Sequence, residues 1–173
     1  VHSGSCLSSS TGNIAQWYLT KSIDKWGNTI LYTYSKPQGP TTGPTQGGQS
    51  IYLSTINYTG HNQDPGKYSV HFETATASRV DTRYNLNFGF KVLDNRSLSR
   101  IVVKYNGNEV KSFKLHQSQA AFIKTKLDSI SEMRGNEVFY THKMEYFPEP
   151  VEKYSAGSKV SLSKYNVNFG TAN

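Results

Sequence analysis

Gly-Asn dipeptides stand directly before segments rich in β-branched and aromatic residues, at Gly27-Asn28, Gly107-Asn108 and Gly135-Asn136. Glycine enters the left-handed backbone region at little steric cost, so such dipeptides mark tight turns between antiparallel strands. An acid, Asp24 or Glu132, lies three residues before the first and third glycines. That spacing predicts a three-residue hairpin loop whose acid accepts a hydrogen bond from a backbone N–H of the turn. The chain is therefore expected to be organised as hairpins.

The middle dipeptide allows two strand registers. A two-residue type I′ turn at Asn106-Gly107 sets Lys104 opposite Glu109, whereas a turn one residue later sets Lys104 opposite Lys111. Because opposite charges across a strand pair are favourable and like charges are not, we favour the first register. The same register pairs two valines, Val103 and Val110.

Composition favours strands over helices and sets the fold class. The 173 residues include 12 Tyr and 8 Phe, and the mean hydropathy is −0.60. Aromatic and β-branched residues suit a half-buried pleated surface. We predict an all-β fold built from an antiparallel, hairpin-rich sheet, either a sandwich or an open shell-like segment, with a long Pro/Gly loop.

Charge and cysteine content narrow the possible partners. The formal charge is +7, yet Lys and Arg are scattered and form no basic run. We interpret this as a solvated basic surface and predict no nucleic-acid partner.

No stretch approaches the roughly 20 apolar residues that span a bilayer, so no membrane span is predicted. The single cysteine, Cys6, excludes an internal disulfide, and a secreted or cell-surface location fits this composition.

Three regions are predicted along the chain. Residues 1–13 are Ser/Gly-rich and expected to be disordered, residues 14–150 form the β domain, and residues 151–173 hold a further strand or begin another domain. Pro and Gly in residues 36–50 oppose regular structure and predict a flexible insert at a hairpin tip. The predicted strands are Ile14–Ile23, Thr29–Tyr34, Ile51–Thr59, Lys67–Thr74, Tyr84–Leu93, Leu98–Tyr105, Glu109–Leu115, Gln119–Ser131, Glu137–Phe147 and Lys159–Phe169.

Some local expectations accompany these strands. Tyr18 should face Tyr34 in the first hairpin, and Gly89 should mark a bulge within its strand. Gln119–Ser131 carries both helical and alternating spacing, and we favour the strand. In Lys67–Thr74, alternation sets Tyr68, Val70 and Phe72 on one face and His71 on the other.

No residue pattern points to catalysis, a cofactor or a metal. The 5 histidines lack the spacing of a zinc site, and no activated nucleophile or phosphate-binding glycine loop is present. Arg79, Asp81 and Arg83 are expected to form a structural ion-pair ladder on one face. Trp17 is expected in the core, whereas Trp26, at a turn tip, is the better candidate for stacking on a ligand. We therefore predict a non-enzymatic protein.

An ordered series of short motifs resembles the latter half of the SpvB-type domain. This domain occurs in the B components of insecticidal toxin complexes and in SpvB virulence proteins. The first hairpin also resembles the repeat of Rhs/YD proteins. The matching residues span about positions 16–150 and include Trp17-Tyr18-Leu19, Ile23-Asp24, Gly27-Asn28-Thr29-Ile30, Tyr52-Leu53, Tyr68, Val70, Phe72, Arg79, Asp81, Gly89-Phe90, Leu98, Arg100-Ile101 and Met144 with Tyr146-Phe147.

The resemblance implies a structural role. In that family the domain contributes to a hollow β-shell that encloses a toxic polypeptide, beside a β-propeller. The expected partners are other domains of a larger toxin-complex-like polypeptide or its C component. Some members carry an ADP-ribosyltransferase, but its Arg, Ser-Thr-Ser and Glu-x-Glu series is absent here. The alternative is a secreted β-sandwich that binds a glycan or a host protein, with Trp26 as a contact.

Overall fold

The computed structural model describes residues 5–9, 11–37, 39 and 48–147. Twelve strands occur in this part of the chain: β1 (Cys6–Ser8), β2 (Ile14–Trp17), β3 (Lys21–Ile23), β4 (Asn28–Ser35), β5 (Tyr52–His61), β6 (Tyr68–Thr74), β7 (Arg83–Asn85), β8 (Val92–Asp94), β9 (Leu98–Tyr105), β10 (Asn108–Gln119), β11 (Thr125–Arg134) and β12 (Glu137–Lys143). A 3-10 turn covers Ala121–Ile123. Among the described residues no helix is long and apolar enough to cross a membrane.

Eight strands form one antiparallel sheet in the order β12-β11-β10-β9-β6-β5-β4-β3. Strands β1 and β2 form a separate two-stranded sheet, and so do β7 and β8. Each pairing between named strands is antiparallel, and consecutive strands are mostly joined as hairpins. The predicted all-β, antiparallel class is confirmed.

The register of the main sheet follows the predicted alternation except at bulges. Lys104 pairs with Glu109, but a bulge at Val110 then sets Val103 opposite Lys111, so the predicted Val103–Val110 pair is wrong. A bulge adds one residue to one strand and moves every later pair by one position.

The first predicted strand is divided between two sheets. Residues 14–17 pair with β1, and residues 21–23 pair with β4, where Ile23 lies opposite Thr29. Tyr18 lies between the two strands, yet its ring still contacts that of Tyr34, with centroids 5.3 Å apart. The prediction of disorder over residues 1–13 is wrong for β1, whose Cys6 and Leu7 are buried.

Two other predicted strands are interrupted. Tyr84–Leu93 becomes the β7–β8 hairpin, and Gly89 lies in its turn and not in a strand bulge, with its N–H donating to Leu86 O at 3.1 Å. Gln119–Ser131 is strand from Thr125 onward, but residues 121–123 turn between β10 and β11.

The Pro/Gly insert joins β4 to β5, where Ser35 pairs with Tyr52 at the end of the ladder. Most of the insert, like the predicted strand Lys159–Phe169, lies outside the described residues. The last two residues of the insert contact the rest of the fold: Gln49 forms a parallel bridge with Val92, and Ser50 is buried.

The eight-stranded sheet has two chemically different faces. Residues opposite one another in neighbouring strands share a face. The aromatic face comprises Tyr32, Ile56, Tyr58, Tyr68, Val70, Phe72, Ile101, Val103, Tyr105, Phe113, Leu115, Ile130 and Tyr140, and it also carries His142 and the Lys111–Glu132 ion pair. The polar face comprises Thr55, Ser69, His71, Glu73, Arg100, Val102, Lys104, Glu109, Ser112, Lys114, Ser131 and Thr141. The predicted division of β6 into Tyr68, Val70 and Phe72 against His71 is confirmed.

Candidate functional site

The Asp24 turn joins β3 to β4 through a three-residue loop. Asp24 Oδ1 accepts hydrogen bonds from the backbone N–H of Trp26 and of Asn28, both at 2.9 Å, and Oδ2 accepts one from Asn28 Nδ2 at 2.7 Å. Gly27 closes the loop with φ +85°. The Asn28 side-chain hydrogen bond, with the backbone donors, holds the pKa of Asp24 below its usual value. The acid thus fixes the loop by accepting its donors.

A second turn shares part of this hydrogen-bond pattern but was not recognised from the sequence. Ser9 Oγ accepts from Asn13 N at 3.0 Å, Gly12 N donates to Ser9 O at 3.1 Å, and Gly12 has φ +88°. The signal was present: Ser9 precedes the Gly12-Asn13 dipeptide at the same distance as Asp24 precedes Gly27-Asn28. A serine hydroxyl accepts such a bond as an aspartate does, although more weakly.

The other two turns have two-residue connections. Asn106 and Gly107 both have positive φ, +47° and +80°, as a type I′ turn requires. Gly135 has φ +60°, and Arg134 pairs with Glu137, so Gly135-Asn136 is the turn and the predicted three-residue loop is wrong. Positive φ at the first central residue alone is the pattern of a type II′ turn.

Glu132 does not contact its own turn. It pairs with Tyr140 in the ladder, and its carboxylate forms an ion pair with Lys111 Nζ of β10 at 3.5 Å. The long glutamate side chain reaches a cation on the neighbouring strand, which the local sequence pattern does not reveal.

The two tryptophans are both at the surface. Trp17 is 63% exposed, so its assignment to the core is wrong. Trp26 is 68% exposed at the tip of the β3–β4 loop, and Lys25 Nζ lies 4.3 Å from the centroid of its ring. A ligand contact by Trp26 stays a prediction.

Among the described residues, one partly buried ionic site is centred on Asp81. Its side chain is 4% exposed and accepts bonds from Arg79 Nε and Nη2, each at 2.9 Å, and from Thr125 N and Oγ1 at 3.0 and 2.7 Å. Arg79, followed by Thr125, holds the pKa of Asp81 far below its usual range. Arg79 Nη1 also contacts Asp94 at 3.4 Å.

This Asp81 cluster differs from the predicted ladder in one member. Arg83 begins β7 and is exposed, and no ion pair of Arg83 occurs among the described residues. Thr125, which the sequence pattern did not reveal, is the third member of the cluster, because its N–H and its hydroxyl both donate to the Asp81 carboxylate. The cluster fastens the segment before β7 to the start of β11.

The polar face carries its own hydrogen-bond network. Arg100 Nη2 donates to both oxygens of Glu109, at 2.6 and 2.8 Å, and to Ser112 Oγ at 3.0 Å. Ser69 Oγ lies 2.9 Å from His71 Nε2, and burial lowers the pKa of His71. No group of three or more potential metal ligands occurs within the described ranges.

The aromatic face has little cover. Among the described residues the fully buried apolar side chains are Cys6, Leu7, Leu93 and Val102, and none of them belongs to this face. Tyr58, Tyr68 and Tyr105 form a row across β5, β6 and β9, with centroid distances of 5.5 and 4.8 Å. Tyr140 on β12 is 54% exposed. Large exposed apolar patches mark sites where a protein contacts other elements.

No protein-family model and no curated protein matches the chain. Solved structures do match, and two of them are informative. The N-terminal domain of effector protein SpvB from Salmonella typhimurium strain LT2 aligns with TM-score 0.65 and 18% identity, over 76% of this chain and 55% of that one. A chain of the Photorhabdus luminescens Tc holotoxin pore aligns with TM-score 0.57 and 15% identity, over 73% of this chain and 8% of that one.

The chain has a fold like those of SpvB and the Tc toxin. It spans about half of the SpvB domain that it matches and a small part of the holotoxin chain. At these identities the likeness concerns the fold, and the predicted correspondence to the latter half of the SpvB-type domain stays a prediction.

Proposed function

We propose that this chain is a non-enzymatic scaffold segment of a secreted virulence protein of the toxin-complex or SpvB type. In this role it contributes a section of wall to a β-shell that houses or presents a toxin. Its partners are other domains of the same assembly or the toxin-bearing component. The resemblance of its hairpins to the repeat of Rhs/YD proteins is part of the same proposal.

The uncovered aromatic face is the observation that carries the proposal. Its side chains are half-buried or exposed, and Tyr68 and Tyr105 remain 38% and 39% exposed. Covering apolar surface is favourable by about 25 cal/mol per Å². A sheet with one such face gains stability when a neighbouring element packs on it. A wall segment of a larger β-structure has such neighbours.

The nature of the two structural neighbours supports the same role. One is a domain of an effector protein and the other belongs to a holotoxin pore, and each is longer than the part that aligns. The Asp81 cluster and the hairpin turns have fixed, internally satisfied hydrogen bonds, as expected of framework elements and not of reacting groups.

Hydroxyl-radical footprinting tests this proposal. The 173-residue chain is compared with the complete native protein that contains it. We expect Tyr68, Tyr105 and Tyr140 to be labelled several-fold less in the complete protein, because neighbouring elements cover the aromatic face. Tyr84, 60% exposed on β7 and outside that face, is the matched control.

Equal labelling of the three tyrosines in both samples would contradict the proposal, provided that Tyr84 also stays equal. If the labelling of Tyr84 decreases by the same factor, the radical dose was lower in that sample. Dividing each tyrosine's labelling by that of Tyr84 corrects for this difference. The expected result is therefore a change specific to the aromatic face.

A further inference from the structure

Two open grooves adjoin at one end of the main sheet. One, of about 410 Å³, is lined by Ser35, Lys36, Pro37, Thr74, Ala75, Thr76 and Arg96. The other, of about 220 Å³, is lined by Arg79, Arg96, Ser97, Leu98, Gln117, Thr125, Lys126 and Leu127. Arg96 belongs to both linings and therefore forms the wall between them.

The lining of the two grooves is cationic. It contains Lys36, Arg79, Arg96 and Lys126, together with serine and threonine residues, and no described carboxylate. Two of these cations are paired with acids outside the lining: Asp81 and Asp94 pair with Arg79, and Asp128 lies 3.9 Å from Lys126 Nζ. Cations and hydroxyl groups that line a concave surface favour a negatively charged ligand.

Arg96 is held in place but keeps donors for a ligand. Its backbone N–H donates to Tyr52 Oη at 3.1 Å, and its Nη1 donates to Ala75 O at 3.2 Å. No ion pair of Arg96 with any described carboxylate occurs. A guanidinium has five N–H donors, so several face away from Ala75. An arginine fixed through one nitrogen loses less entropy when it binds.

We propose that Arg96 binds a small oxyanion, a phosphate or carboxylate group, in the groove that it shares with Arg79 and Lys126. The planar guanidinium matches two oxygens of such a group with parallel hydrogen bonds. Lys126, which lines the same groove, adds a further positive charge. This proposal does not depend on the scaffold function.

Titration of the chain with inorganic phosphate tests the site, followed by NMR on the Arg Nε–Hε signals at constant ionic strength. We expect a saturable shift of the Arg96 signal. Arg96→Gln should weaken phosphate binding by about tenfold or more, and Arg96→Lys should restore part of it, because an ammonium keeps the charge but not the bidentate geometry.

A parallel titration with acetate distinguishes the source of the oxyanion: tighter phosphate binding indicates a phosphate ligand, and tighter acetate binding a carboxylate.

Arg83→Gln is the matched control, because Arg83 is an exposed arginine outside both grooves. It should leave the affinity unchanged. Lys126→Gln provides a second variant if Arg96→Gln alters the fold, and it should weaken binding several-fold. Equal, non-saturating shifts at Arg83 and Arg96, or an affinity that neither groove variant changes, would overturn the proposal.

Discussion

Replacing Asp81 by alanine is expected to lower the free energy of unfolding by about 3 kcal/mol. The carboxylate accepts four hydrogen bonds, two from the Arg79 guanidinium and two from Thr125. Its removal leaves a cation and a backbone N–H without their acceptor, since the Asp81 side chain is only 4% exposed. Urea unfolding followed by far-ultraviolet circular dichroism measures the change as a shift of midpoint.

Asp94→Ala is the matched control for this loss. Asp94 contacts the same arginine at 3.4 Å, but its side chain is 52% exposed. An exposed ion pair contributes at most about 1 kcal/mol. If the two alanine variants unfold at the same urea concentration, the Asp81 cluster does not stabilise the fold in the way proposed here.

The Asp81 cluster also predicts a dependence on pH. The pKa of Asp81 in the folded state is far below its usual value, because Arg79 and Thr125 stabilise the carboxylate. The stabilisation is therefore complete above the unfolded-state pKa of about 3.9 and declines as the pH falls below it. Between pH 5 and pH 3 the Asp81→Ala variant should lose less stability than the parent. An identical decline in both would show that other carboxylates govern acid unfolding.

Gly66→Ala is expected to lower the free energy of unfolding by about 3–4 kcal/mol. Gly66 lies in the connection between β5 and β6 with φ +87°, and an added Cβ would overlap Tyr58 O and approach Gly60 N to 2.6 Å and Thr59 C to 2.7 Å. These are main-chain atoms, so the strand end itself must move. The left-handed backbone adds about 1–2 kcal/mol of strain.

Gly89→Ala separates the two contributions to this loss. Gly89 has a similar φ, +75°, but nothing lies within 4 Å of an added Cβ. Only backbone strain applies there, so we expect a loss of about 1–2 kcal/mol in the same urea measurement. Equal losses in the two variants would mean that the β5–β6 connection moves without resistance, contrary to the close packing seen around Gly66.

Fold class and several turns follow from local sequence. The Asp24 turn is closed by bonds between residues at most four positions apart, so five residues contain everything that it needs. The Lys104–Glu109 pair follows in the same way from a two-residue turn. Alternation in β6 sets the aromatic side chains on one face, because side chains point to opposite sides along a strand.

Long-range contacts decided the rest. Glu132 carries the same spacing as Asp24, yet it binds Lys111 of the neighbouring strand. Trp17 looks apolar enough for a core, but β2 pairs with β1 outside the main sheet and leaves the indole 63% exposed. The β1–β2 hairpin itself is local, but the sequence around Trp17 does not show that this hairpin stays outside the main sheet.

The Asp24 and Ser9 turns were determined by local sequence alone, since each donor and acceptor lies within one short loop. The Asp81 cluster and the Arg96 grooves were decided by the tertiary structure. Asp81 meets Thr125 across 44 positions of chain, and the two grooves that Arg96 lines contain residues of five strands. A local bond requires only a turn, whereas these sites exist only after the strands have paired.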